Sequence, residues 1–311
     1  MSYSLVFPGQ GSQSVGMLAD LYQSQSIVKE TFQEADDALG MSLSKMILEG
    51  PDTDLNQTDN TQPALLAVSV AVYRYWNSLT DAKPAYLAGH SLGEYSALVC
   101  AGAIDYADAL RLVQSRGRFM QQAVPAGEGA MAAILGLPDA DVEAICEQSA
   151  EGEVVAPVNY NSPGQLVIAG QKAAVERAMD ACKAAGAKRA LPLPVSVPSH
   201  CALMKPAAEQ LSELLNSTDV NTPVIPVINN VDVALANNAE AIKDALVRQL
   251  YSPVRWTETV QKMHSEGVTT LVECGAGKVL SGLAKRIERS MNAVATLDQT
   301  QIDNALEAIN S

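Results

Sequence analysis

The chain has 311 residues, 48% of them apolar and 18% charged, with 21 Lys and Arg against 35 Asp and Glu for a net charge of −14. The length allows about two domains, or one large domain with an insertion, and the composition excludes collagen, low complexity and wholesale disorder. The acidic balance excludes a phosphate-neutralising nucleic-acid binder and disfavours an anionic membrane surface.

In chain order, residues 2–7 predict a short buried strand and 8–13 a loop. The amino-terminal segment lacks a basic region ahead of its apolar run, so it does not read as a secretory signal. Helical patterns follow over 14–37 and 42–49, then a break at Gly50-Pro51-Asp52. A long apolar helix is expected over 62–79, with Pro63 in its first turn. Its apolar stretch, 64–72, is interrupted by Ser69 and is too short to cross a bilayer. Residues 85–88 predict a strand ending at Gly89, followed by helices over 92–101 and 106–124. This alternation predicts an α/β architecture with a parallel sheet.

A different rhythm starts near Pro125. Strands over 130–135, 154–159, 165–169 and 189–195 and helices over 139–150 and 172–185 give the order β-α-β-β-α-β, the split unit of a ferredoxin-like fold. The proline-rich flanks, Val124-Pro125-Ala126-Gly127 and Leu191-Pro192-Leu193-Pro194, mark crossings between domains. The expected division is therefore a large domain of residues 1–124 and 197–311 and an inserted domain of 125–196. Beyond it come helices over 204–216, 239–250 and 257–266, strands over 224–229 and 269–273, and a final helix from about 278.

The strongest local motif is Gly89-His90-Ser91-Leu92-Gly93, a G-x-S-x-G between a predicted strand and a predicted helix. Such a turn points the Ser91 hydroxyl outward at a helix N-terminus, where the Leu92 N–H is free to hold a developing oxyanion. The alternative is a glycine-rich turn with a capping serine. Of three histidines, His90 is adjacent to Ser91 and should diverge from it, and His264 lies among polar neighbours on a helix. His200 follows a proline-rich passage where the domains meet and is the candidate base, or else a satisfied loop histidine. No acid announces itself as a third member; Glu209 and Glu213 fall on a helix as ordinary surface charge, which favours a Ser-His dyad with a neutral carbonyl behind it. Arg116 offers a planar guanidinium suited to bidentate capture of a carboxylate, against the plainer reading of one more surface arginine.

Gly9-Gln10-Gly11 lacks the last glycine of a dinucleotide fingerprint, and Gly275-Ala276-Gly277-Lys278 lacks both the first glycine and the Ser/Thr of a P-loop. Cys201 beside His200 reads as a buried, inert thiol. The five cysteines form no C-x-x-C pair, so neither zinc nor disulfides are expected and the reducing cytoplasm is the expected compartment.

Seven ordered segments together resemble the malonyl-CoA:acyl carrier protein transacylases of type II fatty acid synthesis. They are Phe7–Gln13, Asn60–Ala64, Gly89–Glu94, Ser115–Gly117, Asn159–Gln165, Val197–His200 and Gly275–Leu280, with Ala276 where that family has proline. The resemblance implies an α/β-hydrolase-like large domain with a ferredoxin-like insertion. It makes Ser91 the acylated nucleophile, His200 its base, and Gln249 the residue whose main-chain carbonyl orients the imidazole. It makes the N–H groups of Gln10 and Leu92 the oxyanion hole and Arg116 the anchor of the malonyl carboxylate. It also implies ping-pong transfer from malonyl-CoA to the carrier thiol, a monomer, no permanently bound cofactor and no metal. Because carrier proteins are acidic, docking needs a local basic patch, for which Lys183, Lys188, Arg189, Lys278, Lys285, Arg286 and Arg289 are candidates. A stand-alone polyketide-type acyltransferase, a serine thioesterase or esterase, and a carrier-binding scaffold with a vestigial elbow are the alternatives.

Overall fold

Tyr3 to Phe7 are all buried, which is the pattern of a strand covered on both faces. That strand lies at the middle of the larger of two sheets in the computed structural model, which describes residues 2–195 and 197–310. Among these residues the strands are β1 (Ser2–Phe7), β2 (Leu87–Gly89), β3 (Gly129–Leu135), β4 (Val155–Ser162), β5 (Gln165–Gln171), β6 (Arg189–Pro192), β7 (Val227–Ile228), β8 (Val268–Glu273) and β9 (Asn292–Ala295). The larger sheet has the order β7-β2-β1-β8-β9, and every neighbouring pair is parallel.

The helix Thr58–Leu79 is buried on every side from Ala64 to Val72, so it is core rather than an amphipathic cover. It begins earlier than its apolar pattern suggested. Pro63 therefore sits beyond the first turn, where its missing N–H removes one ladder bond. The polar start is held instead by the Thr61 hydroxyl, which donates to the Leu55 carbonyl at 2.6 Å.

The smaller sheet, β4-β5-β3-β6, is antiparallel throughout. Its strands and the helices Asp139–Ser149 and Lys172–Ala184 follow in the order expected from sequence, around a separate core that includes Ile134, Val142, Leu166, Ile168 and Val175. Ser196, at the expected end of the insertion, lies outside the described residues. The small sheet is tied to the rest of the chain at β4. There Val254 N–H donates to Val158 O at 2.9 Å and Tyr160 N–H to Val254 O at 3.0 Å.

Prolines shorten two predicted strands. The run 189–195 ends as a strand at Pro192, and 224–229 contracts to β7 behind Pro226. The expected final helix is Val279–Ile287, but the chain continues into β9 and a further helix, Gln299–Asn310. A turn separates the helix Val279–Ile287 from β9, and in it the Glu288 carboxylate accepts from Ser290 N–H and Oγ–H. None of the described helices is long and apolar enough to cross a membrane. All five cysteines are buried and unpaired.

Candidate active site

The carboxyl ends of β1 and β2 converge on one sharp corner, where open parallel sheets place ligand crevices. β2 stops at Gly89 and the helix Gly93–Cys100 starts four residues later. Only glycine fits at either end of that corner. A Cβ on Gly89 would lie 1.8 Å from the Gly93 carbonyl carbon, and one on Gly93 would lie 2.1 Å from Phe7 O. Ser91 is held between them at φ 52°, in the left-handed region. Asn230, fully buried, clamps both sides: its Oδ1 accepts Ser91 N–H at 2.7 Å and its Nδ2 donates to Gly89 O at 2.6 Å.

Ser91 Oγ lies 2.8 Å from His200 Nε2, and His200 Nδ1 lies 2.7 Å from the main-chain oxygen of Gln249. A carbonyl only accepts, so Nδ1 carries the proton and Nε2 is left as the acceptor facing the serine. Burial, aided by the nearby Arg116 charge, pushes the His200 imidazole down to about 3, so it is neutral and ready to take a proton. His90 is half-buried, with Nε2 2.8 Å from Asn161 Oδ1. His264 is part-exposed, with Nε2 3.7 Å from Glu288. Cys201 is buried, and its thiol points at Pro198 O, 3.2 Å away.

Arg116 is buried at 1% exposure, so it is not a surface arginine. Its helix, Tyr106–Ala123, is capped by the Asp105 side chain and pressed against the start of the helix Thr58–Leu79. Gly117 allows that approach, since a Cβ there would lie 2.6 Å from Asp59 Cα. The guanidinium donates from Nη1 to Gln62 Oε1 at 2.9 Å and from Nη2 to Gln249 Oε1 at 3.0 Å, and Nη2 is 3.4 Å from Ser91 Oγ. It also lies 5.4 Å from the Tyr95 ring centre. Its Nε is buried without a hydrogen-bond partner among the described residues.

The cavity over Ser91 is lined by Gln10, Leu92, Arg116 and His200 from the larger body and by Met131 and Leu193 from the segment 125–196. The main-chain N–H groups of Gln10 and Leu92 donate to no other described residue, and the helix dipole behind Leu92 favours negative charge there. The seven basic candidates, Lys183, Lys188, Arg189, Lys278, Lys285, Arg286 and Arg289, are all exposed. Arg286 donates to Gln165 Oε1 at 2.6 Å, linking the helix Val279–Ile287 to the start of β5.

Three neighbours of the site were given no role from sequence: Asn230, and Gln62 and Glu94, which lie in two of the segments that carry the family resemblance. Glu94 is buried at 2% exposure, and its Oε2 accepts Asn230 N–H and Gln249 Nε2–H, each at 2.9 Å. Burial raises its carboxyl to about 7. An acid in the otherwise apolar helix Gly-Glu-Tyr-Ser-Ala-Leu-Val-Cys was the available signal.

Residues 4–302 match the acyl transferase domain family. The chain is 61% identical over 305 residues to the malonyl CoA-acyl carrier protein transacylase of Escherichia coli K12, covering 98% of this chain and 99% of that one. It is 47% identical to the protein of the same name from Bacillus subtilis 168, with 98% and 96% covered. Among solved structures, an acyl carrier protein S-malonyltransferase from Vibrio cholerae is similar with a TM-score of 0.96 and 61% identity, covering 98% of this chain and 99% of that one. A malonyl-transacylase in complex with its type II PKS acyl-carrier protein matches with a TM-score of 0.98 and 56% identity, covering 99% and 100%.

Proposed function

Because this chain belongs to the acyl transferase domain family, we propose that the corner at Ser91 carries out its transfer through a malonyl-serine intermediate. The overall activity follows from its full-length relatives: the chain moves the malonyl group of malonyl-CoA to acyl carrier protein, for fatty acid synthesis. The observation that carries the mechanism is the line of groups from Gln249 O through His200 to Ser91 Oγ, with the Arg116 guanidinium 3.4 Å from that hydroxyl.

His200 Nε2 takes the Ser91 proton as Oγ bonds to the thioester carbonyl carbon. The oxyanion sits on the N–H groups of Gln10 and Leu92, and the C–S bond breaks as the CoA sulfur takes the proton from His200. The carrier's phosphopantetheine thiol then gives its proton to His200, attacks the acyl carbon and returns Ser91 to its hydroxyl. Arg116 holds the distal carboxylate. An acyl group without one makes no such contact with the guanidinium, which is the basis of selectivity. Burial is the main reason His200 is held low; the carboxylate offsets the smaller contribution of the Arg116 charge, so loading of malonate makes the imidazole a stronger base.

On this reading, residues 1–124 with 197–311 form an α/β-hydrolase-like catalytic domain, and 125–196 a ferredoxin-like insertion that walls the cavity. The exposed cations at 183–189 and 278–289 face an acidic carrier, and the unpaired thiols suit a reducing cytoplasm. Intact-mass measurement after brief exposure to malonyl-CoA tests the intermediate. One malonyl increment is expected on the wild type and none on Ser91→Ala; an increment persisting on the variant overturns the assignment. Free malonate as the main product in the presence of carrier would favour a thioesterase instead.

A further inference from the structure

The transfer just described makes no use of Glu94, yet this carboxylate is wired to the two groups the chemistry depends on. Gln249 donates from Nε2 to Glu94 at 2.9 Å and to Ser91 O at 3.0 Å, and accepts Arg116 Nη2–H on Oε1 at 3.0 Å. A guanidinium only donates and a carboxylate only accepts, so the amide dipole between them lies head to tail. The same residue's main-chain carbonyl holds the imidazole. Glu94 also accepts the main-chain N–H of Asn230, whose side chain clamps the corner at Ser91. Arg116 thus has a resident counter-charge, relayed through one side-chain amide. A substrate carboxylate brought to Arg116 is a second anion competing for that cation.

We propose that Glu94 is a specificity-determining positioning residue, the internal counter-charge of Arg116, and that it takes up a proton from solvent when a substrate carboxylate occupies the guanidinium. The inference rests on the reading of Arg116 as the malonyl anchor. No bond other than O–H changes at Glu94: one of its oxygens gains the proton as the acyl group loads and returns it when the acyl group leaves.

The surrounding groups leave Glu94 as the one that titrates near neutrality. Arg116 and Tyr95 face it, the latter pushed by burial up to about 12. Asp232 is held below the usual carboxylate range by Arg248, 2.7 Å away, and stays ionised. His200 stays neutral, being held near 3, and burial likewise lowers His90. Glu94 itself, at about 7, passes from mostly protonated to mostly ionised across the physiological range. At low pH the incoming carboxylate meets no competing anion. As pH rises, loading malonate requires proton uptake, whereas loading acetate, which brings no charge, does not.

The test measures equilibrium acylation by malonyl-CoA and by acetyl-CoA from pH 6 to 9, read as intact mass. Their ratio cancels the titration of CoA itself. The wild-type malonyl-to-acetyl ratio should fall at least about fivefold between pH 6.5 and 8.5, below the limit of about tenfold per pH unit for one linked proton. Glu94→Gln, which keeps an acceptor oxygen but no charge, should be malonylated with a level ratio. A level wild-type ratio, or the same slope in Glu94→Gln, overturns the proposal. Should that variant fail to fold, proton uptake by the wild type decides: malonylation in weakly buffered indicator solution at pH 8 should consume close to one proton per enzyme, and equal uptake with acetyl-CoA refutes the idea. Arg116→Ala separates the two levels. Equal loss of both acylations removes the anchor and this proposal with it, while a selective malonyl loss beside a level wild-type ratio removes the proposal alone.

Discussion

Two strand-to-helix junctions of the parallel sheet look alike in outline and end differently. Past β2, the chain turns at Ser91 into the helix Gly93–Cys100, and Leu92 at its mouth lines a cavity, its N–H donating to no other described residue. Past β8, the chain turns through Gly275-Ala276-Gly277 into the helix Val279–Ile287, and the N-terminal donors of that helix are consumed. The buried carboxylate of Glu273 accepts Leu280 N–H at 3.0 Å and Ser281 N–H and Oγ–H, each at 2.7 Å. An N-terminal helix turn attracts anions in either case. Where the protein supplies its own anion the turn becomes a cap, and where it does not the turn is open to a developing charge. The donors of the P-loop lookalike are thus already satisfied, and that turn offers none of them to a phosphate.

The comparison can be broken at each junction in turn. Arg116→Ala should have the largest effect, weakening malonyl acylation relative to acetyl by about 2–5 kcal/mol as the fixed charge beside the open junction is lost. Rapid-quench rates with the two donors measure it, and equal losses would remove the charge from the account. Glu273→Ala should cost about 2–4 kcal/mol of unfolding free energy, since three buried donors lose their acceptor. Denaturant titration measures that cost, and the malonyl-to-acetyl ratio should stay as in the wild type; a changed ratio would mean that the closed junction also serves the chemistry. Ser91→Gly should eliminate the adduct yet raise stability by about 1 kcal/mol, because glycine adopts φ 52° without steric cost. A destabilised variant would show that the corner carries no strain. The smallest effect is a null one. With His200 held near 3, its base form is complete well below neutrality, so acetyl acylation should show no inflection near pH 6.5. An acid limb there would mean that the imidazole is exposed to water.

How much of this was legible depended on whether the signal was local. The Ser91 corner is written in five consecutive residues, and the alternation and Gly-Pro turns of the small sheet give its element order. Arg116 and His200 stood out only by residue type, with plain alternatives that burial and contacts decide. Gln10, Leu92 and Gln249 were assigned main-chain roles; those of Gln10 and Gln249 came from family resemblance alone, because a peptide N–H or C=O is common to nearly every residue. Asn230 went unseen, and Glu94 was read only as part of a motif, because their meaning is long-range: Asn230 sits 139 residues from the amide its side chain caps. β9 was missed because four residues at a sheet edge carry little periodicity.

The buried cysteines have a consequence for an enzyme of this kind. Moving a malonyl group from CoA to acyl carrier protein frees the sulfhydryl of one and consumes that of the other. Sulfur exposed near such partners would be drawn into mixed disulfides under oxidising stress. Here burial keeps the thiols of Cys146 and Cys201 protonated, pushed up to about 12 and 11, and all five lie beneath the surface. The catalyst can therefore trade thioesters all day without its own sulfur entering the exchange.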